Sequence, residues 1–311
     1  MNILNKRWAS LAWAVAALML LLSIGNQVQI LTMSFIAVPF VILFTTLSVR
    51  AFVMHVAPLL VIAFLLFGQL GSIVVLTSFY FIIPAIVMGY MFKRKRPGWN
   101  VFSAGTLTFL VESLVLLAVA TLVMKFNLND FLTSQMNASL QTLKDTAVIS
   151  SEWTADMTDT FIRTISSMIP VMLIMSALYM GTITYAISRR LLTAQGVEVN
   201  KMKSIKHWML PKSFLLYYLV TLILELVLTK NTGSFINIIL LNLLPLLQLA
   251  FIVQGISFLF FLSDAKGWNK TIPVILTIVM LFVPFLHVLV RYVGLFDLAF
   301  PLRKMVFKPK Q

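Results

Sequence analysis

Two apolar runs that end in a basic turn decide the fold class of this chain: residues 51–96 read AFVMHVAPLLVIAFLLFGQLGSIVVLTSFYFIIPAIVMGYMFKRKR. Each run, 51–68 and 70–92, is close to the roughly 20 residues that an α-helix needs to cross a bilayer. Gly68 and Gln69 separate the runs, and four consecutive Lys and Arg residues follow the second. The pattern predicts two antiparallel membrane helices that are joined outside and end at the cytoplasmic surface.

Composition extends this interpretation to the whole chain. Of its 311 residues, 60% are apolar and 11% are charged, whereas a soluble domain has roughly 45–50% and about 25%. A soluble core of this size would leave much of that apolar surface in water. In a soluble protein the net charge of +14 would suggest nucleic-acid binding, but here the basic residues belong to membrane loops. We therefore expect the lipid bilayer, and not nucleic acid, as the partner.

We predict an all-α, polytopic bundle of transmembrane helices. Hydropathy favours about nine spans, with eight or ten as alternatives. The candidate stretches are 8–24, 28–49, 51–68, 70–92, 101–124, 164–187, 214–229, 233–262 and 271–290.

Basic residues in the short loops predict the orientation, because Lys and Arg accumulate on the cytoplasmic side. With the amino terminus inside, the inner segments include Lys6, Arg7, the basic turn 93–96 and the basic loop 189–212. The outer loop 126–163 carries five acidic residues and only Lys144 and Arg163. We therefore expect a multi-pass protein of the cell membrane with a cytoplasmic amino terminus.

The carboxyl end does not fit this scheme. Nine crossings place Arg291 and Arg303 outside, against the rule. The eighth stretch has thirty residues, too many for one straight crossing and too few for two, and Pro245 in its middle removes a backbone hydrogen bond. Two half-helices there would return the tail to the cytoplasm, so the side of the carboxyl terminus stays open at this point.

The chain divides into three predicted parts. Residues 1–190 form a six-span bundle with an outer loop at 126–162, residues 191–212 form a basic cytoplasmic loop, and residues 213–311 form a carboxy-terminal bundle of two to three spans. The basic loop either rests on anionic headgroups or docks a partner.

Helical periodicity in the outer loop predicts two amphipathic helices. They form either a lid over an outward-facing pocket or a purely interfacial layer, and the second, acidic one would lengthen span six into the outer aqueous phase. The apolar positions are Leu132, Met136, Leu140, Leu143 and Ala147 for the first, and Trp153, Met157 and Phe161 for the second.

Few residues carry recognisable chemistry. The chain has no cysteine, and it lacks the zinc, serine-hydrolase and phosphate-loop motifs. We therefore expect neither an enzyme nor a cofactor or metal. His287 and Arg291, four residues apart on one helical face, either act together on an anionic group or mark where a helix leaves the membrane.

Glu112 is the most informative single residue, because it lies near the middle of span five. A carboxyl group at that depth usually faces the bundle interior. It is either a ligand or proton contact in a cavity that opens outward, or a protonated group bonded to another helix. Neutral amides at the outer helix ends could bind a heterocycle or a polyol, or only solvent: Asn26, Gln27, Gln29, Gln69, Asn127 and Asn129.

Short motifs along the chain resemble those of the YybS-like family of bacterial integral membrane proteins, whose function is uncharacterised. They are the basic turn 93–96, Trp208-Met209-Leu210-Pro211, Gln254-Gly255, Gly294-Leu295-Phe296-Asp297 and Arg303.

The first six spans also distantly resemble the substrate-binding S components of energy-coupling-factor transporters. In that family a small-x-x-x-small pattern in the first helix contacts a transmembrane coupling subunit. Ala12 and Ala16 match the pattern here. The resemblance implies a small-molecule binding or transport subunit that works with a coupling subunit and ATPase subunits. The alternative is a membrane interaction or regulatory protein without a substrate.

Overall fold

The computed structural model describes residues 3–145, 154–228, 235–269, 271–300 and 302–306, and over these residues the chain is helical without any strand. Its helices are α1 Ile3–Leu22, α2 Gln29–Thr32, α3 Ala37–Thr46, α4 Val49–Phe67, α5 Gly71–Lys93, α6 Gly98–Ala118, α7 Leu128–Asp145, α8 Ala155–Ser167, α9 Ile169–Ala194, α10 Ser213–Leu228, α11 Phe235–Ala265, α12 Thr271–Phe282, α13 Pro284–Ala299 and α14 Leu302–Val306.

Six helical stretches within the described residues are long and apolar enough to cross a membrane. One of them, Val49–Lys93, contains both α4 and α5, which Gly68 separates with a φ of 54° that glycine adopts readily. Ser213–Leu228 and Thr271–Met280 are shorter apolar helices. The predicted class, an all-α bundle of membrane helices, is confirmed.

The chain forms two compact units, and their bounds differ from the three predicted parts. Unit 1 comprises Met1–Phe126 and Leu173–Met202, and unit 2 comprises Asn127–Met172 and Lys203–Gln311. The outer loop thus belongs with the carboxy-terminal helices, and residues 191–202 belong with the first bundle. Side-chain bonds between segments distant in sequence explain both assignments, as described below.

Helix α3 is the centre of unit 1, and nine of its ten residues are buried. A helix that is apolar on every side is buried on every side. Phe40 of α3, Phe81 of α5 and Phe109 of α6 have no exposed surface. The Tyr80 ring lies 5.6 Å from that of Phe109, and its hydroxyl is 3.2 Å from the Ser113 hydroxyl.

One end of unit 1 joins the segments that are predicted to be cytoplasmic. Lys93 Nζ donates to the Leu47 carbonyl at 2.5 Å, and Lys95 Nζ pairs with Glu198 at 2.6 Å. Asn200 Nδ2 donates to the Lys95 carbonyl. The hydrogen bond from Lys95 and its charge hold the pKa of the exposed Glu198 carboxyl below its usual value. Residues 47, 93–95 and 198–200 therefore lie on the same side, as the basic residues predict.

In unit 2, α8 and α9 follow each other with a break at Met168. The predicted extension of span six is therefore a separate helix. Asn242 of α11 fills the break: its Nδ2 donates to the Ser167 carbonyl at 2.7 Å, and its Oδ1 accepts the Val171 N–H at 2.8 Å. In an unbroken helix these two backbone groups would bond to each other, so the amide replaces the missing bond and ties residues 127–172 to α11.

The outer-loop helices form where periodicity predicts them. Leu140 of α7 is buried, but in α8 the buried positions are Thr158 and Ile162, while Met157 and Phe161 are exposed. The apolar face of the second helix is therefore not its buried face, since hydropathy alone does not distinguish core from bilayer. Ala147, Trp153 and the neighbouring Glu152 lie outside the described residues.

The half-helices at Pro245, which were one alternative for the carboxyl end, are absent from the described part of unit 2. Helix α11 continues through Pro245 from Phe235 to Ala265, because neighbouring helices can satisfy the backbone groups that a membrane proline frees. The break lies instead between α12 and α13, where Val283 is extended and Pro284 begins the next helix. With 12 and 16 residues, these helices are about 18 and 24 Å long, each shorter than a core of ~30 Å.

Helices α12 and α13 return the chain to the side from which they start. Lys206 pairs with Asp264 at the end of α11, and Arg303 Nη1 donates to the Lys206 carbonyl at 2.9 Å. The end of α11 and the tail after α13 thus meet the same loop. Arg303 therefore lies on the side of residues 205–208, which favours the alternative to nine full crossings.

Topology can be tested with single cysteines, since the chain has none of its own. Ser139, Ser204 and Lys304 are exposed. In intact cells, an impermeant thiol reagent is expected to label a cysteine at position 139 and to spare those at 204 and 304 until the cells are opened. Labelling at 304 together with 139, while 204 stays protected, would contradict the hairpin.

Candidate functional site

Glu112 lies in α6, half-buried, beside the buried Ser113. Its Oε2 atom is buried and has no hydrogen-bond partner among the described residues. A carboxyl oxygen in that position is a costly feature of the fold. Its predicted role in an outward-facing cavity stays a prediction.

The predicted outer amides are divided between the units. Asn26, Gln27 and Gln69 are exposed in unit 1, and Asn26 Oδ1 accepts the N–H of Val28 at 3.1 Å. Asn127 belongs to unit 2, where its Oδ1 accepts the N–H of Asn129 at 3.0 Å and so caps the start of α7. Two of the four amides thus bond to their own turns, and their role in ligand binding stays a prediction.

In α1, Ala14, Ala17 and Leu21 form the buried face. Ala12 is exposed and Ala16 is half-buried. The core of unit 1 therefore leaves the proposed partner-helix face, Ala12 and Ala16, at least partly exposed.

A pocket of about 150 Å³ opens in unit 2 between α8 and the first turns of α11. Its α8 side has residues at positions i, i+3, i+4 and i+7, which is one helical face, and its α11 side adds an amide and two aliphatic residues. The pocket lies next to the break that Asn242 fills, on the predicted outer side. Its lining consists of Thr160, Arg163, Thr164, Ser167, Asn237, Ile238 and Leu241.

At the opposite end of unit 2, a buried polar cluster joins the residues of the short motifs. Asp297 is 1% exposed, and its Oδ2 accepts Arg303 Nη2 at 2.8 Å and Gln254 Nε2 at 2.5 Å. Arg303 also donates to the carbonyls of Lys206 and Trp208. We call the residues Gln254, Ser257, Asp297 and Arg303 the polar clamp.

The other two members of the polar clamp bond to the loop before α10. Gln254 Oε1 accepts the Leu210 N–H at 2.9 Å. The Ser257 hydroxyl accepts Arg303 Nη2 at 3.0 Å and lies 2.7 Å from the Ile205 and Trp208 carbonyls, one of which it can donate to. These polar groups are mutually satisfied, which is typical of a structural network and not of an open binding site.

Close packing of α11 on α13 places the polar clamp. A Cβ atom at Gly255 would overlap the Val290 carbonyl oxygen, and one at Gly294 would overlap the Phe251 carbonyl oxygen. Two glycines thus let the backbones touch, as in membrane helix pairs generally. Arg291 lies two turns before the end of α13, half-buried, with a buried Nε that has no partner among the described residues. Both alternatives for His287 and Arg291, an anion contact and a point where a helix leaves the membrane, stay predictions.

These features define a polytopic helical membrane protein with a satisfied polar cluster at one end of unit 2 and an open pocket at the other. The chain belongs to the family described as predicted membrane protein (DUF2232), whose model matches residues 12–298. A relative from Bacillus subtilis (strain 168), the uncharacterized protein YybS, is 24% identical over 244 residues, 77% of this chain and 78% of the relative. No solved structure matches.

The family expectation is thus confirmed, while the resemblance to S components stays a prediction. The family motifs in the sequence include Gln254, Asp297 and Arg303 of the polar clamp, but not as a cluster. Neither Ser257 nor the pocket was predicted. The available signal was the amides of Asn237 and Asn242 within an otherwise apolar stretch, since polar side chains at membrane depth are retained for a reason.

We expect Asp297→Ala to destabilise the protein by about 3–5 kcal/mol, because it leaves the buried Arg303 charge unpaired. The measurement is the temperature at which the purified protein in mild detergent loses its monodisperse peak. Glu198→Gln is the matched control: it removes an exposed ion pair and is expected to leave that temperature unchanged. Equal effects of the two substitutions would show that the polar clamp does not stabilise the fold.

Proposed function

We propose that this membrane protein is a binding or transport subunit for a small polar molecule that enters from the outer side. The observation that carries the proposal is the pocket between α8 and α11, with an arginine, three hydroxyl groups and an amide around about 150 Å³. Few polar groups beside an aliphatic wall are typical of small-molecule sites. The volume lies below the ~300–1,000 Å³ of drug-sized pockets, so the ligand is small.

The position of the pocket supports transport in particular. Membrane transporters often build their sites where a helix is broken and its backbone groups are held by side chains. The α8–α9 break, bridged by Asn242, has this character. Helices α7 and α8 then serve as the predicted lid.

Energy for transport would come from other chains, because the sequence has no nucleotide-binding motif. In this proposal the coupling subunit contacts the Ala12 and Ala16 face of α1, and ATPase subunits act through it. The exposed position of Ala12 equally favours the second candidate, a membrane interaction or regulatory protein without a substrate.

Blocking the pocket tests the proposed function. A thermal-shift screen of vitamins, amino acids, organic acids and polyols on the purified protein is expected to find compounds that raise the unfolding temperature. Thr164→Trp fills the pocket and is expected to abolish that response. Ser139→Trp, at an exposed position of α7, is the control and is expected to keep it. A screen without any stabilising compound, or a response that Thr164→Trp preserves, would refute the proposal.

The partner face has a separate test. Replacing both Ala12 and Ala16 with Leu is expected to keep membrane insertion, because Leu inserts at least as well as Ala, but to prevent close helix approach. Copurification of partner subunits from mild detergent is then expected to fall several-fold. Ala118→Leu, at an exposed position of α6, controls for added bulk. A complex that survives the double substitution would exclude this face.

A further inference from the structure

We infer that the pocket of unit 2 takes a small zwitterion with the chemistry of a free α-amino acid and a short apolar side chain. The inference rests on the proposed function, since it assigns a ligand class to the same pocket. It follows from the hydrogen-bonding state of Arg163, Thr164 and Ser167 and from the aliphatic wall of the pocket.

Arg163 supplies the positive charge. It is the one charged residue that lines the pocket, and the ion pairs formed by the described residues do not include it. Its guanidinium offers a planar fork of N–H donors that matches a carboxylate. Asp159 is four residues earlier on α8, yet it does not line the pocket. The vacant partner of Arg163 is thus an anionic group of the ligand.

The hydroxyl groups of Thr164 and Ser167 supply acceptors. Thr164 Oγ1 donates its hydrogen to the Thr160 carbonyl at 2.9 Å, and Ser167 Oγ donates to the Arg163 carbonyl at 2.8 Å. Each hydroxyl has one hydrogen and two lone pairs, so with the hydrogen engaged only lone pairs remain for a ligand. These two positions therefore favour a hydrogen-bond donor and not a second anionic oxygen.

Donor and acceptor groups of the site are neighbours on one helix face. Positions 163, 164 and 167 are separated by one turn or less, and residues three or four apart have Cβ atoms about 5–6 Å from each other. A ligand that satisfies both therefore carries its carboxylate and its donor close together. An ammonium group is favoured over a hydroxyl, because α8 also carries the exposed carboxylates of Asp156 and Asp159, which attract a positive charge.

The remaining wall limits the rest of the ligand. Ile238 and Leu241 of α11 are aliphatic, so they favour an apolar substituent over a charged one. A water molecule takes roughly 30 Å³ in the liquid, so about 150 Å³ admits only a short side chain.

Four probes separate the parts of the recognition: L-alanine, pyruvate, which lacks the donor, ethanolamine, which lacks the carboxylate, and glycerol. On the purified full-length protein in mild detergent, L-alanine is expected to raise the unfolding temperature at a concentration at least tenfold lower than the other three. Lactate, which carries a hydroxyl in place of the ammonium group, serves as a fifth probe. A response to lactate equal to that to L-alanine would show that the ammonium group is not required and would overturn the inference of a zwitterion.

Variants then assign the groups. Arg163→Gln is expected to weaken the L-alanine response at least tenfold. Thr164→Val combined with Ser167→Ala is expected to reduce the advantage of L-alanine over pyruvate to less than threefold. Arg190→Gln, which removes an exposed arginine of α9, is the charge control and is expected to change nothing. An L-alanine response that either pocket variant leaves intact would overturn the inference.

Failure of this inference is distinguishable from failure of the proposed function. If glycerol or another neutral compound stabilises the protein and Thr164→Trp abolishes that effect, the pocket binds a ligand but the zwitterion is wrong. If no compound of the wider screen stabilises the protein, both are wrong.

Discussion

The ion pair between Asp297 and Arg303 is the constraint on which the carboxy-terminal half depends. Both side chains are buried, with 0% of the Asp297 surface and 15% of the Arg303 surface exposed. Moving two charges out of water costs several kcal/mol per ion, which their mutual attraction has to offset. The pair is tolerated because its remaining donors and acceptors bond to Gln254, Ser257 and two carbonyl groups of the loop before α10. An interaction of this kind fixes position more than it adds stability, and it holds the tail, α11 and that loop at one membrane surface.

The α12–α13 hairpin follows from that constraint. Because Asp297 bonds to Gln254 and α13 must reach the loop before α10, α13 has to end on the side where α11 ends. Helices α12 and α13, about 18 and 24 Å long, are too short for each to cross the bilayer on the way. An interrupted backbone at membrane depth is acceptable only when protein covers it. Further along α13, Gly255 and Gly294 let the backbones of α11 and α13 touch.

Sequence predicted the fold class and the position of nearly every membrane helix, because the bilayer thickness imposes a length that hydropathy reveals directly. It located the irregularity wrongly, at Pro245 and not at Pro284. Both prolines lack a backbone N–H, and they differ in their surroundings. Helix α11 is packed on both sides of Pro245, whereas Val283, the residue before Pro284, is free to adopt an extended conformation. Packing partners are not encoded locally, so no window of sequence distinguishes these prolines. The predicted site shows the same difficulty. In the sequence Asn26 and Asn127 are equivalent candidates among the outer amides, although in the structure each bonds to its own turn.

The pocket was inaccessible to sequence reasoning for a related reason. The pocket joins residues about 70 positions apart in the sequence. It depends on Asn242, which in the sequence is only one amide within an apolar stretch. That amide replaces a missing backbone hydrogen bond of a different helix, at the break between α8 and α9. A straight helix would continue the stripe of Thr160, Arg163, Thr164 and Ser167 along α9. The interaction that satisfies two backbone groups thus lies beside the pocket, and the structural residue Asn242 neighbours the proposed ligand-binding residues of α8 and α11.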